Sequence, residues 1–422
     1  MLRRGPGTPR EEVIANQRER LFGAMVASVA NRGYEATRVA DLAEISGVSS
    51  RSFYDHFADK RACFLATMEA IIEASLQFAA LTANQPADWE QRARRGFEDF
   101  ATMIVAQPAA SRMCLVDAYA AGPEAVALLE RATASFEALT MEKLAQSPER
   151  AAMPAEMVTA HTGAMQEIAR TRIRRAEEAR LPGLMAELWS LIFAYRPPPE
   201  PLRPVRHAAQ PVAPVEAPGG ADHAERVLTA LASLVAEQGY ARTTIDQVVK
   251  RASMSATTFY AQFESKEDAL MAALDSGAAQ LLAAVMPAFR RAPDWPHGIR
   301  AAFGALFGFL ASRPDLARLI AVEVYAAGPN AIERRTETLK PLEALFAEGH
   351  ELSSGPPPIA VEAIAGGLHT LAYQRIRDVG PHALPGLTPI CTYIALSPFV
   401  GPEQACEVAN SSGSGRSTAR RS

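Results

Sequence analysis

The chain has 422 residues, 48% of them hydrophobic and 21% charged, which suits two or three globular domains and excludes a disordered or fibrous polymer. A formal net charge of -4 excludes a uniformly basic nucleic-acid coat, though not a local basic patch. Cys63, Cys114, Cys391 and Cys406 lie far apart and form no CxxC pair, which argues against a disulfide scaffold or a zinc ribbon. No uninterrupted apolar run reaches membrane-spanning length, and Arg3 and Arg4 precede no apolar core, so a cytoplasmic protein without a membrane partner is expected.

In chain order, Asn16 with Glu19 offers a start for a first helix, whose face carries Leu21, Met25, Val26 and Val29. Gly33 stops it. Thr37 is placed to cap a short helix over Arg38 to Ile45, and a turn follows at Ser46-Gly47-Val48. Ser49 is placed to cap a second short helix, Ser50 to His56, which Phe57 ends. Asp59 then caps a long helix beginning at Lys60. Helical spacing continues to about residue 195, and no alternating strand run appears, so the fold class is all-α.

The pattern then repeats. Gly33-Tyr34, Phe53-Tyr54, Phe57, Lys60 and Asp88-Trp89 recur 206 positions later as Gly239-Tyr240, Phe259-Tyr260, Phe263, Lys266 and Asp294-Trp295. Tyr119 to Pro123 recur unchanged as Tyr325 to Pro329. Further on the offset is 203, matching Arg172-Ile173-Arg174 to Arg375-Ile376-Arg377 and Leu181 to Leu184 to Leu384 to Leu387. The period is too long for a solenoid unit, so the chain is a duplicated domain. Between the copies lies a stretch rich in proline, from Pro197 to Pro218, which reads as a semi-extended linker. The expected organisation is a head at 1–65, a body at 66–195, the linker at 196–221, a second head at 222–271, a second body at 272–405 and a disordered tail at 406–422.

Two short helices joined by a tight glycine turn form a helix-turn-helix, which lays its second helix in the DNA major groove. That helix would present Ser50, Arg51, Ser52 and Tyr54. Arg reads guanine by a bidentate contact, Ser serves base edges or phosphates, and a Tyr hydroxyl holds a phosphate. Arg38 and His56 flank this surface, and His56 reads either as a DNA contact or as an exposed polar helix end. Phe53, Phe57, Phe259 and Phe263 read as core. Arg170, Arg172, Arg174, Arg175 and Arg180 read as a phosphate grip or, with Glu177 and Glu178 between them, as a solvated or interface face.

The frame from Thr37 through Ala43, Gly47-Val48-Ser49 and Phe53-Tyr54 to Phe57 and Lys60 resembles the signature of the tetracycline-repressor (TetR) family of bacterial transcription regulators. The second copy carries the same frame in Thr243, Thr244, Ser255, Phe259-Tyr260, Phe263 and Lys266. The resemblance implies a three-helix DNA-binding head, a divergent helical ligand-binding body, and dimerisation through the last two long helices. It also implies contacts to the DNA backbone from Thr37, Ser49, Tyr54 and Lys60. The candidate DNA-binding residues of the second copy are Thr243, Thr244, Ser255, Thr257, Thr258, Tyr260 and Lys266. The second copy departs from the frame: Ser253-Met254 replaces Gly47-Val48, Val249 replaces Ala43, and Thr257 replaces Arg51. Residues 1–61 hold ten Lys/Arg against eight Asp/Glu, while residues 222–268 hold five against seven, so the second head should bind DNA more weakly. Lys250 and Arg251 partly offset the deficit.

The bodies are expected to hold a mainly apolar cavity for a small-molecule effector, with His161, Gln166, His369 and Tyr373 as polar handles or as ordinary satisfied side chains. The eight histidines show no HxxxH or HExxH spacing, and no GxGxxG, P-loop or GxSxG motif occurs, so neither metal, cofactor nor catalysis is expected. The expected function is a TetR-type transcriptional repressor that binds double-stranded DNA as a monomeric pseudo-dimer or a homodimer and leaves its operator when a small apolar ligand binds. The alternative is a helical ligand-binding or protein-interaction module whose heads no longer bind DNA.

Overall fold

A computed structural model describes residues 10–83, 89–205, 223–352 and 356–411. Arg3, Arg4, Asp88, the later part of the proline-rich stretch and residues 412–422 lie outside the described residues. Residues 406–410, expected to belong to a disordered tail, instead end a helix and bury Cys406, Val408 and Ala409. All regular structure among the described residues is helical, as expected. The first repeat runs α1 (Arg10–Ala36), α2 (Val39–Ser46), α3 (Ser50–His56), α4 (Lys60–Ala83), α5 (Trp89–Ala106), α6 (Pro108–Arg112), α7 (Ala118–Ala121), α8 (Pro123–Leu144), α9 (Ala155–Arg174) and α10 (Leu181–Ala194). The second runs α11 (His223–Gln238), α12 (Ile245–Arg251), α13 (Ala256–Tyr260), α14 (Lys266–Arg290), α15 (Trp295–Ser312), α16 (Pro314–Ala321), α17 (Pro329–Glu343), α18 (Ala347–Leu352), α19 (Ala360–Asp378) and α20 (Thr388–Asn410).

Local chemistry accounts for most boundaries. Ser49, Ser255 and Ser265 each accept a hydrogen bond from the backbone N–H three residues on, at 3.1 Å, satisfying an orphan donor at the start of α3, α13 and α14. Gly33 and Gly239 adopt φ of 78° and 87° at little steric cost: Gly33 breaks the helical backbone near the end of α1, and Gly239 directly follows the end of α11. Two expected starts move. α1 begins at Arg10 rather than near Asn16, with Glu11 and Glu12 in its first turn, where carboxylates complement the helix dipole. Arg38, not Thr37, occupies the cap position of α2, because Asp41 Oδ2 accepts the Arg38 N–H at 2.9 Å.

The chain divides into two compact units that do not follow the repeat boundary. Unit 1 comprises residues 1–143 and 166–189; its core gathers Leu21, Met25, Phe53, Phe64, Met68 and Ile104. Unit 2 comprises residues 144–165 and 190–422, so it takes two segments of the first repeat into the second. Within unit 2, α9 meets α19, its counterpart in the other repeat. A Cβ added to Gly163 would lie 2.2 Å from Thr370 Oγ1, and one added to Gly367 would lie 2.6 Å from the Ala160 carbonyl oxygen. Two helices approach this closely only where one side carries no side chain.

The proline-rich stretch is irregular through Val205, as proline dictates, but its beginning is tied down. The Tyr195 hydroxyl donates to the Ile394 carbonyl at 2.7 Å, and the Tyr393 hydroxyl donates to the Arg196 carbonyl at 2.8 Å. The Arg203 N–H donates to Asn410 Oδ1 at 2.7 Å, while Asn410 Nδ2 donates to the Pro201 carbonyl at 3.2 Å. These residues form a strap along α20, not a free tether.

Three helical segments, Lys60–Leu81, Lys266–Arg290 and Pro381–Asn410, are long and apolar enough to cross a membrane by length and composition; charges interrupt the apolar run in the first two, and Thr, Ser and Pro in the third. Most of the Pro381–Asn410 window is buried within its unit, as a core helix requires.

Candidate nucleic-acid interface

Each head is built on an aromatic core. Phe53 and Phe259 are fully buried, and their rings lie 5.7 Å from Phe57 and Phe263 respectively. Burying that side of α3 and α13 turns the opposite side outward. Tyr54 and Tyr260 are 59% and 57% exposed, and Arg51, Ser50 and Ser49 share the exposed side in the first head, with Thr257 and Ser255 in the second. Ser52 and Thr258 are half-buried, each hydrogen-bonded to the hydroxyl of its cap serine.

The remaining expected contacts are placed differently. Thr37 and Thr243 are each 1% exposed, and each donates its hydroxyl to the carbonyl of the preceding glycine at 2.9 Å; they lock the first helix to the turn and do not reach the surface. The Lys60 ammonium donates to the Tyr34 and Glu35 carbonyls at 2.9 and 3.2 Å and stands 4.3 Å from the Tyr34 ring centre. Lys266 repeats this with the Tyr240 and Thr243 carbonyls at 3.0 and 2.8 Å, and burial lowers its pKa. Both lysines thus stabilise the end of a helix from within the head. His56 Nε2 lies 2.8 Å from Gln17 Oε1, which holds the ring against α1. Burial, then the nearby Arg18, pushes its pKa down.

A pair of residues escaped the sequence reading. The Arg20 guanidinium donates to the Ser46 carbonyl, and that of Arg226 to the Ala252 and Ser253 carbonyls, so in each head one arginine of the first helix closes the end of the second. Their common offset of 206 was the available signal.

The turns differ as anticipated. Gly47 adopts φ of 63°, and Ser253 holds the same left-handed conformation at 52° despite its side chain. The charge difference is larger than expected. Arg38, exposed at the cap of α2, corresponds to Thr244 at the cap of α12, so two exposed arginines of the first head are threonines in the second. Arg251 does not offset this, because it forms a two-pronged pair with Glu237 at 2.8 Å, leaving Lys250 alone.

Residues 24–67 and 227–273 match the family described as bacterial regulatory proteins, tetR family. The chain thus carries the N-terminal motif of that family twice. It is 28% identical over 131 residues to the HTH-type transcriptional activator FasR of Mycolicibacterium smegmatis, a match covering 31% of this chain and 58% of that protein. Among solved structures it is similar to the fatty acid degradation regulator FadR of Bacillus halodurans, with 20% identity and a TM-score of 0.39 over 41% of this chain and 94% of that one. Another similar structure is FadR of Bacillus subtilis in complex with stearoyl-CoA, at 17% identity and a TM-score of 0.36 over 42% of this chain and 98% of that one.

Of the four expected ligand handles, His369 and Tyr373 meet at Tyr325, with ring centres 5.6 and 6.5 Å from its own. Gln166 belongs to unit 1, where it donates to Thr133 Oγ1 at 2.9 Å. In unit 2, His161 stacks 4.9 Å from Tyr195; burial and the Arg150 charge push it down to about 3, and its Nε2 has no hydrogen-bond partner. His369 Nε2 lies 2.7 Å from Tyr325 Oη, and Tyr373 Oη accepts from Arg377 at 2.9 Å. Unit 1 also carries an open groove of about 580 Å³ between α4 and α8, lined by Leu76, Ala80, Ala138 and Leu139 with Gln77, Ser135 and Glu142. No group of three or more metal-ligating side chains occurs among the described residues.

Proposed function

We propose that this tandem TetR-family chain is a cytoplasmic DNA-binding regulator that works as an intramolecular pseudo-dimer, with operator binding released by a small, mainly apolar ligand. The observation that carries the reading is the doubled head, each copy with a serine-capped helix whose tyrosine and small polar side chains face outward. The meeting of α9 with its counterpart α19 inside one unit supports internal pairing, since a homodimer joins equivalent helices in this way. Two heads on one chain would address half-sites about 34 Å apart, and unequal heads imply an asymmetric operator. The protein acts by binding, not catalysis, and a ligand that prefers one body conformation would shift the heads away from groove spacing.

The test is a gel-shift titration on DNA from its own promoter region at two salt concentrations, with light scattering on the complex. One chain protecting both half-sites supports internal pairing; two chains per operator refute it. The weaker charge of the second head favours a second reading, a ligand-binding module without DNA contact. The absence of salt-dependent binding would establish that alternative.

A further inference from the structure

The second body contains a buried positive charge with no negative partner. Arg335, on α17, is 8% exposed. Its Nη1 lies 3.2 and 3.3 Å from the ring nitrogens of His369, and its guanidinium stands 5.5 Å from the Tyr325 ring centre. Its Nε is buried without a hydrogen-bond partner. Among the described residues no carboxylate stands within ion-pair distance of it, whereas its neighbour Arg334 turns outward to Asp275 at 2.5 Å. A guanidinium only donates, so it meets at most the single lone pair of a neutral His369 ring and the π-density of Tyr325, and neither neutralises it. Buried charges in proteins are otherwise paired.

The first repeat handles the same place differently. Leu129 stands where Arg335 does, and Gln166 where His369 does. One of its buried arginines, Arg170, is held by Glu167 at 2.5 Å and donates to the Leu115 carbonyl at 3.0 Å. Arg170 is thus paired within the first body, whereas Arg335 in the second has no carboxylate partner among the described residues.

We infer that Arg335, His369 and Tyr325 form an acid-binding site in the second body, which takes the carboxylate of an otherwise apolar ligand, one per chain. The inference rests on the effector reading above and adds the charge of the effector. A carboxylate would accept from Arg335 Nε and its fork, the geometry in which guanidinium and carboxylate pair most strongly. The site also lies beside the second head. Tyr325 ends the turn Glu323–Tyr325, and Glu323 Oε2 accepts the Tyr240 N–H of that head at 3.1 Å. A ligand that displaces Tyr325 therefore pulls on a residue two positions from a head contact.

The experiment titrates the full-length chain by calorimetry with monocarboxylates of graded apolar size, from acetate to dodecanoate, each against its own primary amide. At least one acid should bind at least about tenfold more tightly than its amide, at one site per chain. Arg335→Met should reduce that acid to the level of its amide while leaving the amide unchanged. The unliganded variant should melt at or above the wild-type temperature, because the charge it removes has no partner; Arg335→Gln is the second variant if the first does not fold. Equal binding of every acid and its amide, or a preference that survives in both variants, overturns the inference. Release of operator DNA by an amide as readily as by its acid also overturns it, while leaving the effector reading intact. An acid held through Arg335 that leaves DNA binding unaltered supports the site and refutes its regulatory role.

Discussion

Gly163→Ala tests the meeting of the two repeats most directly. The new methyl carbon would sit 2.2 Å from Thr370 Oγ1, 2.5 Å from its Cβ and 2.9 Å from its Cγ2. Rotation of Thr370 gives no relief, because its Cβ does not move on rotation and its hydroxyl donates to the Gly366 carbonyl at 3.0 Å. The helices must separate, and overpacking of this kind costs about 1–3 kcal/mol. Replacing Gly within a helix by Ala gains about 0.5–1 kcal/mol of local stability, so a net loss of about 1–2 kcal/mol is expected. Thermal unfolding of unit 2 should then fall by about 2–8 °C. Thr370→Gly removes the obstructing Cβ, and in the double variant the coupling should recover at least about 1 kcal/mol. Strict additivity of the two changes, or a neutral Gly163→Ala, would show that α9 and α19 do not touch here and would remove the main support for internal pairing.

Arg51→Ala should weaken operator binding about 5- to 150-fold and relax specificity at one half-site, while Thr257→Ala costs less; anisotropy titrations at one salt concentration decide, and the reverse ranking makes the second head the principal reader. Asp117 has its pKa raised to about 6 by burial, which outweighs the nearby Arg112. A raised carboxyl pKa gives stability that is full below about pH 4 and lost as pH rises to 6, so Asp117→Asn should stabilise unit 1 by about 2–3 kcal/mol at pH 7 and by nothing at pH 4, read as the gap in urea midpoints. Gly47→Ala should destabilise the first head by about 1 kcal/mol because of its left-handed φ, and a neutral outcome by the same assay would place the turn elsewhere in φ/ψ space. Glu323→Ala should lower hydrogen-exchange protection of the Tyr240 amide about tenfold or more, since that N–H loses its acceptor, and unchanged protection would show that the contact is not made in solution.

Features written within a few residues were legible in the sequence. Ser49 and Ser255 cap the helices expected of them, Gly33 and Gly239 mark the ends of theirs, and the four phenylalanines are core, because each follows from spacing alone. Thr37 was misplaced by one residue because two adjacent positions satisfy the cap pattern, and Asp41 decides between them. The sequence places Lys60 and Lys266 only as candidate phosphate contacts, and only the fold shows the helix-end carbonyls that their ammonium groups meet. The units were less accessible still. Duplication states how many bodies there are but not which repeat a helix packs against, and residues 144–165 pack with the other copy. Arg335 belongs to no motif, so its missing partner is visible only once every neighbour is known.

Duplication on one chain removes a constraint that a homodimer cannot escape. In a homodimer every substitution appears in both heads and both bodies, so charge gained for DNA reading and charge gained for ligand reading are counted twice. Here the exposed arginines at 38 and 51 face threonines at 244 and 257, and the unpaired Arg335 faces Leu129. Phosphate neutralisation scales with the number of cations, so the first head carries the larger share of electrostatic affinity. A buried unpaired charge lowers stability wherever it stands, and here it stands once. The second head is the one joined by Glu323 to the turn beside that charge. Under the proposed function, a ligand there would act first on the second head, and release would be graded: the weaker half-site would open while the stronger one retained the DNA.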